Sequence, residues 1–135
     1  MSDEITALLH TSMPFCARFG MRGVESSPEQ VVVEVDWSED LCTTGGVLHG
    51  GVLMSLADTA GAVCAFSNLP DGASFTTTIE SKTNFLRAAT EGTLTVRSSP
   101  VHVGRTTIVV QTDVTRDDGK LVTRTTQTQA VLGAG

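Results

Sequence analysis

An α+β fold, in which a curved and mostly antiparallel sheet wraps one long central helix, is predicted by three observations. One long apolar segment opens at Leu48-His49-Gly50-Gly51 and keeps helical spacing past Ala60. The second half of the chain is made of long Thr- and Val-rich segments suited to strands. Asp117-Asp118-Gly119 then joins the last two segments as a tight hairpin, because Asp-Gly tolerates the positive φ that such a turn needs. A helix this apolar has to be covered, and a sheet of long strands is what remains to cover it.

Each element follows in order. Residues Asp3 to Met13 form a short helix capped by Ser2 or Asp3, with Ile5, Leu8 and Leu9 facing the body, and Pro14 halts it. Phe15 and Phe19 continue that packing. Val31, Val33 and Val35 alternate with Val32, Glu34 and Asp36, the period of a strand with one buried face, and Met21 to Glu25 reads as an earlier part of it. In the central helix Val52, Leu53, Leu56, Ala60 and Val63 share a buried face. Met54, Asp58, Gly61, Ala62 and Ala65 form an adjacent stripe whose small members leave room for a ligand. Asn68 to Gly72 supplies turn chemistry, followed by strands over Thr76 to Phe85, Thr93 to Val103, Arg105 to Arg116 and Lys120 to Leu132.

A chain of 135 residues with 40% hydrophobic content fits a single domain over 1–135. Its apolar runs are shorter than a membrane span, and Met1-Ser2-Asp3-Glu4 is acidic where a secretory signal is basic, so a cytoplasmic protein without membrane attachment is expected. Cys16, Cys42 and Cys64 are odd in number and lack metal-ligand spacing, which fits reduced thiols and no metal site. A net charge of −6 and the lack of basic runs interleaved with aromatics argue against nucleic-acid partners.

Function is concentrated at the start of the central helix. The first N–H groups of a helix lack intrahelical acceptors and carry partial positive charge. Gly50 has no side chain, so a substrate carbonyl oxygen can approach its N–H closely. Asp58 is a lone carboxylate on an apolar surface, suited to act as a base or nucleophile. Gly50 and Asp58 lie about 12 Å apart along one helix, so one carbonyl cannot touch both. If both serve one reaction they come from two copies related by a twofold axis, which predicts a homodimer with composite sites.

His49-Gly50-Gly51 followed by Leu56-Ala57-Asp58, together with Asn84-Phe85-Leu86-Arg87-Ala88 and the corner Val103-Gly104-Arg105, resembles the hot-dog-fold acyl-CoA thioesterases of the phenylacetate-degradation, or PaaI-like, type. The order of elements is similar over about the whole chain. The resemblance implies hydrolysis of acyl-CoA to a carboxylic acid and free CoA without a metal or redox cofactor, in a homodimer that pairs into a homotetramer. It implies Asp58 as base or nucleophile, Gly50 as oxyanion donor beside Gly51, and His49 as the brace of the turn. Thr78 matches the family's hydroxyl that orients the carboxylate or water, with Thr76 and Thr77 also open. Arg87 and Arg105, with Asn84 nearby, are the first choices for contacting CoA; Lys82, Arg97 and Arg124 are the second.

The sequence departs from the family at Thr43, six residues before His49, where many members carry an Asn or Gln that holds the hydrolytic water. That departure keeps a non-catalytic acyl-CoA-binding module in view. A hot-dog hydratase or dehydratase ranks lower, since the His-Phe-Pro type of loop is absent. Aromatic and medium-chain acyl groups are all admissible.

Overall fold

A computed structural model describes residues 2–133. In chain order the elements are α1 (Ser2–Ser12), α2 (Pro14–Arg18), β1 (Arg22–Ser26), β2 (Val31–Asp36), α3 (Gly50–Phe66), β3 (Phe75–Phe85), β4 (Thr93–Val103), β5 (Thr107–Thr115) and β6 (Leu121–Leu132), with two 3₁₀ turns between β2 and α3. The strands form one sheet in the order β1-β2-β4-β5-β6-β3, with every neighbouring pair antiparallel. This is the layout expected from the sequence.

The sheet packs on α3 through apolar side chains from both layers. Leu53, Leu56, Ala60 and Cys64 are buried on the helix, while Val33, Val35, Val96, Ile108, Val110, Val114 and Val122 are buried on the strands. The inner face also carries polar groups. Ser98, Thr112, Thr125 and Thr83 are successive cross-strand partners on β4, β5, β6 and β3. Thr112 Oγ1 donates to Ser98 Oγ at 3.0 Å, and the Thr83 and Thr125 hydroxyls bond at 2.7 Å, so these buried groups are satisfied within the sheet.

Several local expectations change. Met21 to Glu25 is not an earlier part of β2: Arg22–Ser26 forms a separate strand that folds back antiparallel on β2. Ser27 and Gln30 exchange backbone hydrogen bonds around Pro28-Glu29, and Pro at the first corner of a turn presets the φ that a reversal needs. Leu9 is buried and Ile5 packs against the core, but Leu8 is 67% exposed on the outer side of α1. Ser2 is already helical, so the cap of α1 lies outside the described residues. Pro14 ends one helix and begins the next, because its missing N–H costs nothing at the first helical position. Phe19 packs against the core and meets the outward-facing Phe15 edge to face, with ring centroids 4.7 Å apart.

On α3, Gly61 and Ala65 are buried under the sheet and do not provide ligand space, whereas Met54 and Asp58 are exposed. All three cysteines are free; burial raises the pKa of the Cys16 and Cys64 thiols and so disfavours their reactive thiolate forms. Among the described residues, no helix is long and apolar enough to cross a membrane.

The two edges of the sheet differ. Edge strand β1 is short, bulged between Gly23 and Glu25, and covered by α1, whose Thr6 hydroxyl accepts the Gly23 N–H at 2.8 Å. A Cβ at Gly23 would stand only 2.1 Å from Ile5 Cγ2, which shows how closely the helix approaches. Edge strand β3 runs for 11 residues, is exposed along most of its length, and pairs only with β6 among the described residues.

Asp118, at the β5–β6 turn, accepts from Arg116 Nη2 at 2.8 Å and from the Lys120 N–H at 3.1 Å, and the Arg116 pairing leads in holding its carboxyl down at about 2. Arg22 similarly lowers Asp36. Both groups take up protons more readily when unfolded, so their stabilising contribution is complete above the ordinary carboxylate pKa of about 4 and is lost as pH falls through the folded values. Urea unfolding measured from pH 5 to 2 is expected to show falling stability over that window, and Asp118→Asn is expected to flatten the slope.

Candidate active site

The entry to α3 is tightly fixed. The Leu48 N–H donates to Ala89 O and the His49 N–H to Leu41 O, both at 2.9 Å, which ties this turn to the loops on either side. His49 caps the helix: with an extended backbone (φ −61°, ψ 135°), its Nδ1 accepts the Gly51 N–H at 2.8 Å. The cap consumes the Gly51 donor and leaves the Gly50 N–H with no acceptor among the described residues. Gly50 also lies under Phe85, whose Cε1 is 3.1 Å from where a Cβ would stand, so a side chain here would press on that ring as well as narrow the approach to the N–H.

Asp58 lies farther along the same unbroken helix, with an exposed side chain. Its Oδ1 accepts Gln127 Nε2 at 3.0 Å. The same Nε2 lies 3.2 Å from Thr78 Oγ1, and Gln129 Nε2 donates to that hydroxyl oxygen at 2.7 Å. Three elements therefore converge on one polar cluster. Thr78 pairs directly with Gln129 in the β3–β6 ladder, immediately before a bulge at Ile79. Of the three threonines left open by the sequence, Thr78 is the one that reaches Asp58 through a shared partner; Thr76 is buried and Thr77 is exposed.

Gln127 is fully buried, and its Oε1 has no hydrogen-bond partner among the described residues. Leaving an amide oxygen dry costs about 1–3 kcal/mol. Gly61 makes the placement possible, since a Cβ there would stand 2.1 Å from that oxygen. Sequence reasoning missed Gln127 and Gln129. Their signal was the period-two set Thr123, Thr125, Gln127 and Gln129, but the intervening Arg124, Thr126 and Thr128 are also polar, so alternation alone did not show which face turns inward.

The remaining predicted residues lie apart from this cluster. Thr43 is exposed, with its N–H held by Val47 O at 2.8 Å. Asn84 is exposed opposite Arg124, while Arg124 itself forms a two-point pair with Asp113, both contacts at 2.8 Å. Arg87 donates to Leu121 O at 2.9 Å, and Arg105 is exposed at the β4–β5 corner. These two arginines occupy opposite ends of the nine-residue strand β5, roughly 25–30 Å apart at strand rise, so they cannot hold the same nucleotide within one chain. Lys82 and Arg97 are exposed. A hollow of about 310 Å³ is lined by Thr90, Glu91, Arg116, Asp117 and Asp118, and none of Gly50, Asp58 or Thr78 borders it.

A family profile described as thioesterase superfamily matches residues 45–123, which span α3, β3, β4, β5 and the start of β6. A relative from Bacillus subtilis that carries the name esterase, ComA2, is 30% identical over 113 residues, covering 84% of this chain and 90% of that protein. An esterase-named relative from Saccharolobus solfataricus is 37% identical over 92 residues, and the chain spans only 64% of its length. Among solved structures, a thioesterase family protein from Silicibacter pomeroyi superposes with a TM-score of 0.82 at 28% identity, covering 91% of this chain and 92% of that one. A thioesterase from Haemophilus influenzae, at 24% identity, shares the fold with a TM-score of 0.88 over 99% of this chain and 92% of its own. By its sequence match and its sheet-wrapped helix, the chain belongs to the thioesterase superfamily and has the hot-dog fold.

Proposed function

We propose that this protein hydrolyses acyl-CoA thioesters, as PaaI-like enzymes do, in a homodimer whose two copies build each site. The observation that carries the reading is the pairing, on one helix, of an unspent backbone donor at Gly50 with a carboxylate at Asp58 that is tethered through one oxygen. About 12 Å of helix separates them, so a thioester carbonyl polarised by Gly50 of one copy meets Asp58 of the other.

Gly50 and the positive end of α3 stabilise the oxyanion as the carbonyl is attacked. Asp58 either takes a proton from water, whose oxygen bonds to the carbonyl carbon, or attacks that carbon itself to give an anhydride that water then opens. In both routes the C–S bond breaks and CoA leaves as the thiol after gaining a proton. His49 keeps the Gly50 turn in place, and Thr78 orients the carboxylate or water. Gly51 spends its N–H on the cap, so its part is to keep the backbone accessible. Thr43 offers a hydroxyl where relatives position water with an amide. Arg87 and Arg105 bind CoA phosphates, one from each copy, and Asn84 flanks the Arg87 end. The chemistry needs no cofactor beyond the CoA of the substrate, and a cytoplasmic location is where acyl-CoA is met.

The bare edge of β3 supports the dimer. An 11-residue strand with one unpaired edge and exposed Phe75, Ile79 and Phe85 suits addition of a second β3, which continues the sheet and sets two α3 helices side by side. Dimers then pair into the tetramer.

Thiol release from a panel of aromatic and aliphatic acyl-CoAs tests the chemistry. Asp58→Asn is expected to lower kcat by at least about 100-fold at unchanged folded content. Equal rates of release in both proteins would remove Asp58 from the chemistry, and no release from any substrate while intact acyl-CoA binds would instead identify a binding module. Sedimentation velocity tests the assembly: the wild type should run as a dimer or a multiple of one, and Ile79→Asp on the β3 edge should shift it toward monomer with loss of activity. A fully active monomer would rule out the shared site.

A further inference from the structure

Resting on that reading, we infer that Gln127 is a positioning residue for the hydrolysis: its buried amide ties Asp58 Oδ1 to Thr78 Oγ1, which leaves Asp58 Oδ2 as the reacting oxygen and makes the Thr78 hydroxyl a dedicated donor.

The geometry leaves the amide one workable orientation. Its two N–H groups face Asp58 Oδ1 at 3.0 Å and Thr78 Oγ1 at 3.2 Å. Turning the amide over would place its oxygen against a carboxylate and is opposed by charge. The oxygen therefore points inward, toward the space that Gly61 leaves open, and stays without a partner. A side chain kept only to fill this space would be better as an apolar residue of equal length, since such a swap removes an unsatisfied acceptor. Retaining an amide here sacrifices stability for a donor aimed at Asp58.

The effect on Thr78 follows from counting lone pairs. Its oxygen accepts from Gln129 Nε2 at 2.7 Å and from Gln127 Nε2 at 3.2 Å, which fills its accepting capacity. The hydroxyl proton is left to donate outward at the exposed rim beside Asp58, where water or the thioester arrives.

Gln127→Met keeps length and removes the donor. The expected result is a fall in kcat of about 10- to 100-fold, the range for losing a hydrogen bond to a charged group, with KM within about threefold and a melting temperature no lower than wild type. In an Asp58→Asn background the same substitution should change the residual rate by less than about twofold, because Gln127 acts through Asp58. Wild-type kcat in Gln127→Met, a lowered melting temperature with unchanged kcat, or losses that multiply in the double variant would each overturn the inference.

A readout independent of turnover and of how Gln127→Met folds is the Gln127 side-chain amide resonance in 15N-labelled protein. Its protons should exchange slowly and shift in Asp58→Asn, whose change lies on the surface; an unmoved resonance overturns the tether. Loss of thiol release in Asp58→Asn with full activity in Gln127→Met would sink this inference and leave the hydrolase reading standing. No thiol release by the wild type sinks both.

Discussion

Burial of α3 is the constraint on which the rest of the structure depends. Leu53, Leu56, Ala57, Ala60, Gly61, Cys64 and Ala65 all require cover, and an apolar helix face gains its stability by leaving water. Four long strands supply that cover only by curving around the helix. The small residues on its inner face let the sheet approach closely, and β3 is left at the sheet's outer edge, where it meets the helix at the level of Asp58. The same packing thus sets the core, the bare edge and the position of the carboxylate.

At that rim the inner face departs from apolar packing. Thr123, Thr125, Gln127 and Gln129 occupy consecutive inward positions on β6, and all four are buried. A polar row in a core is a liability unless its members are paired, and here Thr125 pairs with Thr83 while the two glutamines converge on Thr78 and Asp58. Among the described residues Thr123 Oγ1 and Gln127 Oε1 are left without partners, and only the second belongs to a group whose other end holds the proposed catalytic carboxylate. Local rules of packing are most often broken where a site demands it.

The helix entry shows a second division of labour. His49 resolves one unmet donor by capping Gly51, and this leaves Gly50 as the donor available to a ligand. A histidine in such a motif invites a proton-transfer role, but here its Nδ1 is engaged as the helix cap, which fits the proposed bracing of the backbone that presents the neighbouring N–H. The motif gains its meaning from the backbone around it as much as from its side chains.

The sequence by itself determined the elements whose signals are local. The 17-residue helix announced itself by apolar spacing, the hairpin by Asp118-Gly119 with Gly119 at φ 81°, and the long strands by Thr and Val. The likeness of His49-Gly50-Gly51 and Asp58 to a known family was equally legible. Only the tertiary structure decided that Arg22–Ser26 turns back as its own strand, that Gly61 makes room for Gln127 and not for a ligand, that Arg87 and Arg105 stand at opposite ends of the sheet, and that Thr78 is the threonine linked to Asp58 through Gln127. The physical reason is that periodicity reports which residues share a face, but not which face is covered or what arrives opposite it. In β6 both faces are polar, so the inward choice of Gln127 is made by strand pairing with β3 and by the approach of α3, neither of which is written in the spacing of that segment alone.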